Sequence, residues 1–173
     1  MQKQTFKIVR RRLDDKEIAF LIKEIKQTPN ITGFTVSEWD SFDGIFIAEI
    51  DNKLAGIIAL KNTAGNWVSI EAFYVLSKYR NFGIGNKLFD AALKAAMKKK
   101  RNLYVITYNE AVVSIMRKNN LQVFDAFFKL PFFVMLANIT HALNCYRVYE
   151  FIRKKIAFPA DRKLTFGIKF FVE

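Results

Sequence analysis

Hydrophobic positions recur along this chain with two periods, and the switches between them mark its elements. Residues 5–11 alternate as a first strand. Asp14, with Glu17 three positions on, predicts a capped helix start. Ile18, Leu21, Ile22 and Ile25 follow at helical spacing, so that helix buries one face. Residues 30–42 are read as a short helix and loop. Two apolar runs within 45–61 meet at Asp51-Asn52-Lys53, a hairpin signal. A strand at 67–75 precedes an amphipathic helix at 86–99, with Leu88, Phe89, Ala92, Leu93 and Ala96 on one face and Lys87, Asp90, Lys94 and Lys98 opposite. A short strand at 103–108 leads to Asn109, which caps a helix reaching about 119, and strands at 121–128 and 164–171 complete the series. This order predicts a mixed α/β fold with hairpin and crossover connections. No repeat, low-complexity linker or Pro/Gly-rich hinge interrupts it, so residues 1–173 are expected to form a single domain.

Composition changes this picture only in part. A chain of 173 residues can bury a real core, and its 18 Phe require either an aromatic core or exposed aromatic surface. The net charge of +12 attracts anionic ligands without specifying a fold. One cysteine, Cys145, excludes an internal disulfide and fits a reducing compartment. The opening MQKQTFKIVRRRLDDKE lacks the apolar core of a signal peptide, so a cytoplasmic location is expected. The basic runs Arg10-Arg11-Arg12 and Lys98-Lys99-Lys100-Arg101 lack the interleaved aromatics of RNA-binding segments. They read as a solvated strand end and as cations offsetting a helix dipole. No nucleic-acid partner and no metal site are predicted.

The candidate chemistry lies between the strand at 67–75 and the helix after it. Arg80-Asn81-Phe82-Gly83-Ile84-Gly85 joins the two. Glycines permit positive φ and close ligand approach, and unpaired N–H groups at the helix start attract anionic oxygens. Arg80 adds a permanent cation. The turn is neither a Walker loop, because no Gly-Lys-Ser/Thr follows, nor a dinucleotide fingerprint, because Leu88 stands at its third glycine position. Taken alone, such a turn is either a phosphate cradle or a tight strand-to-helix connection.

The wider pattern resembles the GNAT superfamily of N-acetyltransferases. It is carried by Val75, Arg80, Gly83 and Gly85 at family spacing, preceded by a hairpin and followed by helix, strand and an Asn-led helix. The run EAFYVLSKYRNFGIG is particularly similar to the diamine (spermidine/spermine) acetyltransferase branch, and NEAVVSIMRKNNL stands where the family has its second motif. The resemblance implies a mixed, mostly antiparallel twisted sheet that splays after the fourth strand, flanked by helices, with an extra C-terminal helix before the last strand. It implies acetyl-CoA as co-substrate. The pyrophosphate would rest on the backbone amides of Asn81, Phe82, Gly83, Ile84, Gly85 and Asn86 beside Arg80. The pantetheine arm would run along Phe73, Tyr74 and Val75, with Asn109 and Ser114 on its other side.

The implied reaction is direct acetyl transfer, in a ternary complex, to a primary amine of a small molecule or a protein. A lysine-like amine, with a pKa near 10.4, is only about one part in a thousand neutral near pH 7.4, so a carboxylate base is needed. Glu71 stands at that position, and the Val75 N–H is the implied donor to the carbonyl oxygen. The pattern departs from the family at Met116, where relatives carry a proton-donating Tyr, and at Asn120-Leu121, where they carry Gly-Phe. Tyr108 is a candidate substitute acid. Loss of the Tyr leaves open a different class of function, a non-catalytic or regulatory CoA-binding module acting through its C-terminal helix. The diamine substrate is not carried over, because the chain is strongly basic. Glu38, Asp40, Asp43 and Glu49 either gather at the acceptor side or lie dispersed.

The last departure is the segment 131–161, placed where relatives have a short connection. It predicts one atypical aromatic helix, with Phe132, Met135, Leu136, Ile139, Ala142, Leu143, Cys145, Tyr146, Tyr149 and Ile152 along an apolar stripe. Phe133 and Phe151 fall on its polar side. An added helix on the sheet, a homodimer interface through 131–156 and a membrane-surface or lid helix are all open roles. His141 borders the stripe and reads as a packing residue.

Overall fold

The computed structural model of the chain describes residues 5–142, 145–158 and 163–171. Strand β1 (Lys7–Arg10) is followed by helix α1 (Asp15–Lys26), which opens with the expected capping box: Asp14 Oδ1 accepts from the Glu17 N–H at 2.8 Å, and Glu17 Oε2 accepts from the Asp14 N–H at 3.1 Å. Thr35 and Glu38 form a second box at the start of the short α2 (Val36–Asp40). Strands β2 (Gly44–Ile50) and β3 (Lys53–Thr63) make the predicted hairpin, turning through Asp51 and Asn52 at φ +48° and +58°, the primed-turn geometry that matches strand twist. Then come β4 (Trp67–Val75), α3 (Ile84–Lys98), β5 (Asn102–Thr107), α4 (Glu110–Lys118) and β6 (Gln122–Phe124). Two further helices, α5 (Phe132–Ala142) and α6 (Cys145–Ala157), precede β7 (Thr165–Lys169).

The strands form one sheet in the order β1-β2-β3-β4-β5-β7-β6, antiparallel except where β4 meets β5. That parallel pairing covers only Trp67–Ile70 against Asn102–Val105. Beyond it β5 continues against β7, while β4 stays with β3, so the sheet splays and the edge of Glu71–Val75 that faced β5 is left open. The register of β3 and β4 also slips at this point. Ala72 pairs with Ala59 and Ile70 with Leu60, which makes Glu71 the extra residue of a β-bulge.

The bulge shows in the packing. Ile70 and Phe73, three residues apart, share the face covered by α3 and α4, together with Leu88, Phe89 and Ala92. Ala72, Tyr74 and Leu76 face α1 and α2, where Leu21, Ile25, Phe34 and Trp39 are buried. A third cluster forms under α5, from Trp67, Tyr104, Leu130, Val134, Phe166 and Ile168.

Two sequence expectations change. The single aromatic helix of 131–161 is two helices, and the side chains of Leu143 and His141 lie outside the described residues. The strand expected at 121–128 shrinks to the edge strand β6, because a 3₁₀ turn at Phe127–Lys129 leads the chain toward α5. Among the described residues no helix is long and apolar enough to cross a membrane.

Candidate active site

The glycine turn takes the shape its sequence requires. Asn81 and Gly83 sit at φ +68° and +79°, in the left-handed region, and Gly83 is the N-cap of α3. A Cβ at Gly83 would meet no atom within 4 Å, so the position faces open space. The first bond of the helix runs from the Lys87 N–H to the Gly83 carbonyl, leaving the N–H groups of the first turn to point out of the helix end. Arg80 Nε donates to the Val75 carbonyl at 3.3 Å, which folds its side chain back toward the open edge of β4.

A groove of about 920 Å³ runs from this turn along β4 to α4. All the residues expected to hold the coenzyme line it except Phe82, which is exposed and lies outside the lining. Asn109 caps α4 by accepting from the Ala111 N–H at 3.0 Å, as its simplest role predicts, and it lines the groove as well. Ser114 Oγ donates to the Glu110 carbonyl. Lys118, one helical turn beyond Ser114, also lines the groove, and no sequence motif singled it out.

Where β4 and β5 part, a second cavity of about 450 Å³ opens, walled in part by the α1–α2 loop, α5 and α6. Asn30, Ile31, Phe73, Asn109 and Val112 line both spaces, so the two are continuous. Glu71 lines this inner cavity, and its side chain is only 7 % exposed. Its Oε1 accepts from Ser69 Oγ at 2.6 Å, while its Oε2 meets Arg147 Nη2 of α6 at 3.3 Å. Arg147 also donates from Nε to Glu38 Oε1 at 2.9 Å, and its guanidinium lies over the Phe34 ring at 4.9 Å. Burial opposes ionisation of Glu38, but the Thr35 N–H and Arg147 outweigh it and hold the carboxyl below its ordinary value.

Of the four acids considered from sequence, Glu38 reaches this cluster. Asp43 accepts from the Asn62 N–H, and Glu49 pairs with Lys7 and Arg11 on the far strands, so neither serves the acceptor side. Burial and the Glu71 carboxylate push the Tyr104 hydroxyl up to about 12, and burial likewise raises Tyr108. Both tyrosines line the inner cavity and remain proton donors near neutrality. Met116 does not line it. It is fully buried and its terminal methyl packs onto Gly167 of β7.

The acceptor side is held by α6. Lys154, 6 % exposed, donates to the carbonyls of Ile25 at 2.6 Å, Thr28 at 2.8 Å and Ile31, pinning the loop between α1 and α2 that lines both spaces. Next to it, buried Glu150 is paired with Arg153 at 2.8 Å, and that pairing holds its carboxyl below the ordinary range against the opposing effect of burial. No periodicity pointed to Arg147 or Lys154. Both sit on the polar side of the stripe read from sequence, the side expected to meet water.

Comparisons with known proteins agree with this geometry. Residues 12–120 match the model of the Acetyltransferase (GNAT) family. An uncharacterized N-acetyltransferase of Archaeoglobus fulgidus is 34 % identical over 70 residues, which is 35 % of this chain and 46 % of that protein. N-acetylglutamate synthase from Neisseria gonorrhoeae, solved with coenzyme A and N-acetyl-glutamate, has a similar fold at TM-score 0.67 and 15 % identity, over 94 % of this chain and 35 % of that one. Rv2747 from Mycobacterium tuberculosis, solved with CoA, gives 0.64 and 14 % over 93 % and 99 %. Arabidopsis thaliana Naa50, bound to the bisubstrate analogue CoA-Ac-MVNAL, gives 0.53 and 22 % over 68 % and 85 %. This chain thus spans about half of its curated relative and about a third of the Neisseria enzyme.

Proposed function

Because this chain belongs to the acetyltransferase (GNAT) family, we propose that it transfers the acetyl group of acetyl-CoA to a primary amine, by direct attack within a ternary complex. The observation that carries this is the position of Glu71, a buried carboxylate lifted out of the strand register by a bulge at the junction of two continuous cavities.

Acetyl-CoA supplies an activated thioester. The outer groove suits it: the first-turn amides of α3 and Arg80 meet the pyrophosphate, and the open β4 edge at Phe73, Tyr74 and Val75 pairs with the pantetheine amides. The similarly folded proteins from Neisseria and Mycobacterium, solved with CoA, support acetyl-CoA as the co-substrate. The amine enters the inner cavity, where Glu71 accepts its proton directly or through water, freeing the lone pair for attack on the acetyl carbon. In this reading the Val75 N–H donates to the carbonyl oxygen as it gains charge. The carbon–sulfur bond then breaks. A thiol with a pKa near 8.5 is a tolerable leaving group, so the absence of the family's tyrosine at Met116 does not stop turnover, and Tyr108 is the candidate donor to the thiolate.

The pairing of Glu71 with Arg147 favours a second reading, a CoA-binding module without catalysis. The test is calorimetric titration of acetyl-CoA into wild type and Gly83→Asp, followed by amine-dependent thiol release with wild type and Glu71→Gln. Binding lost in a folded Gly83→Asp, together with turnover that needs Glu71, supports acetyl transfer. Binding without turnover for any amine supports the module, and no binding to wild type overturns both.

A further inference from the structure

We propose that the outward face of α5 and α6 docks on an anionic lipid bilayer and lies in its headgroup layer, whichever reaction the two cavities serve. A helix resting on a protein core turns its apolar stripe inward and its charges to water. Helix α6 does the opposite. Arg147 is turned to the protein by its pairing with Glu38, Glu150 is buried against Gly33, and Lys154 is buried on the carbonyls that follow α1. Val148, Tyr149, Ile152 and Ile156 fall within about 100° of the helix circumference and are 42–75 % exposed. Helix α5 has no Asp, Glu, Lys or Arg, and it adds Phe132, Leu136 and Ile139, exposed on successive turns. Phe127, Val148 and Phe151 are exposed and also line the inner cavity, so the apolar surface runs from both helices to the cavity mouth. Apolar side chains scattered singly over a surface are ordinary, but a face of this extent marks an interface.

The charge around the face indicates what covers it. From Ala126 to Ala157 the sequence holds one acid, Glu150, which is buried and paired with Arg153. Asp125, just before, is paired with Lys163 at 2.5 Å. Lys129 and Lys155 are exposed next to the apolar side chains. The stem of a lysine can stay among apolar groups while its ammonium reaches lipid phosphates. The rim is therefore cationic, on a chain whose net charge is +12. A second copy would bring the same cations and the same net charge against it, which opposes pairing. An anionic bilayer answers both features, accepting the apolar stripe between its headgroups and attracting the lysines. None of the described helices is long and apolar enough to cross a bilayer, and this face needs only to lie on one.

The test is flotation of the full chain with vesicles of phosphatidylcholine containing about 30 % phosphatidylserine, against phosphatidylcholine alone. Partition onto the anionic vesicles should be stronger by roughly 30-fold, the scale of two lysines near a charged surface, and should weaken as salt is raised. Ile152→Ser combined with Ile156→Ser keeps every charge and removes apolar area, so partition should fall by roughly 100-fold. Cys145, the one cysteine of the chain, is exposed on the same stripe, so an environment-sensitive fluorophore can be placed there alone. Its emission should shift to the blue when anionic vesicles are added. Wild type that stays with the lipid-free fraction overturns the proposal. Vesicle binding that survives the two serine substitutions also overturns it, because charge alone then holds the protein. A blue shift without lipid that grows with protein concentration, together with a dimer mass in sedimentation equilibrium, means that a second copy covers the face and likewise overturns it. Circular dichroism checks folding. Should the serine variant not fold, Lys129→Gln with Lys155→Gln replaces it: the preference for anionic vesicles should drop by roughly tenfold or more, and a preference equal to that of wild type overturns the proposal.

Discussion

Replacing Lys154 by methionine tests whether α6 organises the acceptor side or merely lies against it. The lysine is buried and donates to the carbonyls of Ile25, in the last turn of α1, and of Thr28 and Ile31 in the loop that follows. Methionine keeps most of the apolar stem and removes only the ammonium. The Ile25 carbonyl retains the Thr28 N–H and the Thr28 hydroxyl as donors, both at 3.1 Å, so two carbonyls lose their charged partner. At about 1–3 kcal/mol for each of these two groups, the loss is roughly 2–6 kcal/mol, centred near 4. Against the ordinary stability of about 5–15 kcal/mol the variant still folds. Its Tm should fall by roughly 8–16 °C, at about 2–4 °C per kcal/mol for a chain of this size. Urea unfolding followed by near-ultraviolet circular dichroism gives the free energy, and hydrogen exchange locates the change. Amides of 27–35 should lose protection well before those of β3 and β4. A variant within about 0.5 kcal/mol of wild type, the range of an ordinary surface substitution, with unchanged exchange in the loop, would refute a clamping role.

Other outcomes follow from the same geometry. Glu71→Gln should lower kcat/KM by about 10²–10⁴-fold with acetyl-CoA affinity unchanged, measured by thiol release and calorimetry. Met116→Tyr, which restores the family residue, should destabilise by about 1–3 kcal/mol without raising kcat, because the side chain faces Gly167 and not the cavity. The paired carboxyls of Glu38 and Glu150 have lowered folded-state values. Their contribution is therefore fully present above the unfolded-state value, near 4.3, and is lost as pH falls below it; Tm should be flat from pH 6 to 8 and drop under about pH 4, with hydrogen exchange showing α6 loosening first. Tyr108→Phe should lower kcat less than about tenfold at pH 8, since the thiol leaves without help; a loss of 10³-fold would make it the essential acid.

Much of this molecule was determined by its sequence alone. The capping box at Asp14, the hairpin through Asp51-Asn52, the glycine turn and the Asn109 cap are local: each depends on a few neighbouring residues whose φ preferences and hydrogen bonds favour one geometry. Those elements, with the family pattern on residues 71–121, were enough to name the family and to point to a groove whose lining the structure then supplied. The acceptor side was not legible in this way. A periodicity plot places Arg147 and Lys154 on the wet face of a helix, and only tertiary packing turns that face inward, against Glu38, Glu71 and the α1–α2 loop. The bulge that re-aims Glu71 is likewise a property of register between β3 and β4, which no single strand encodes. Charge pairing across more than seventy residues of sequence depends on which surfaces meet, and that is decided by the sheet's splay and by the two helices folded over it.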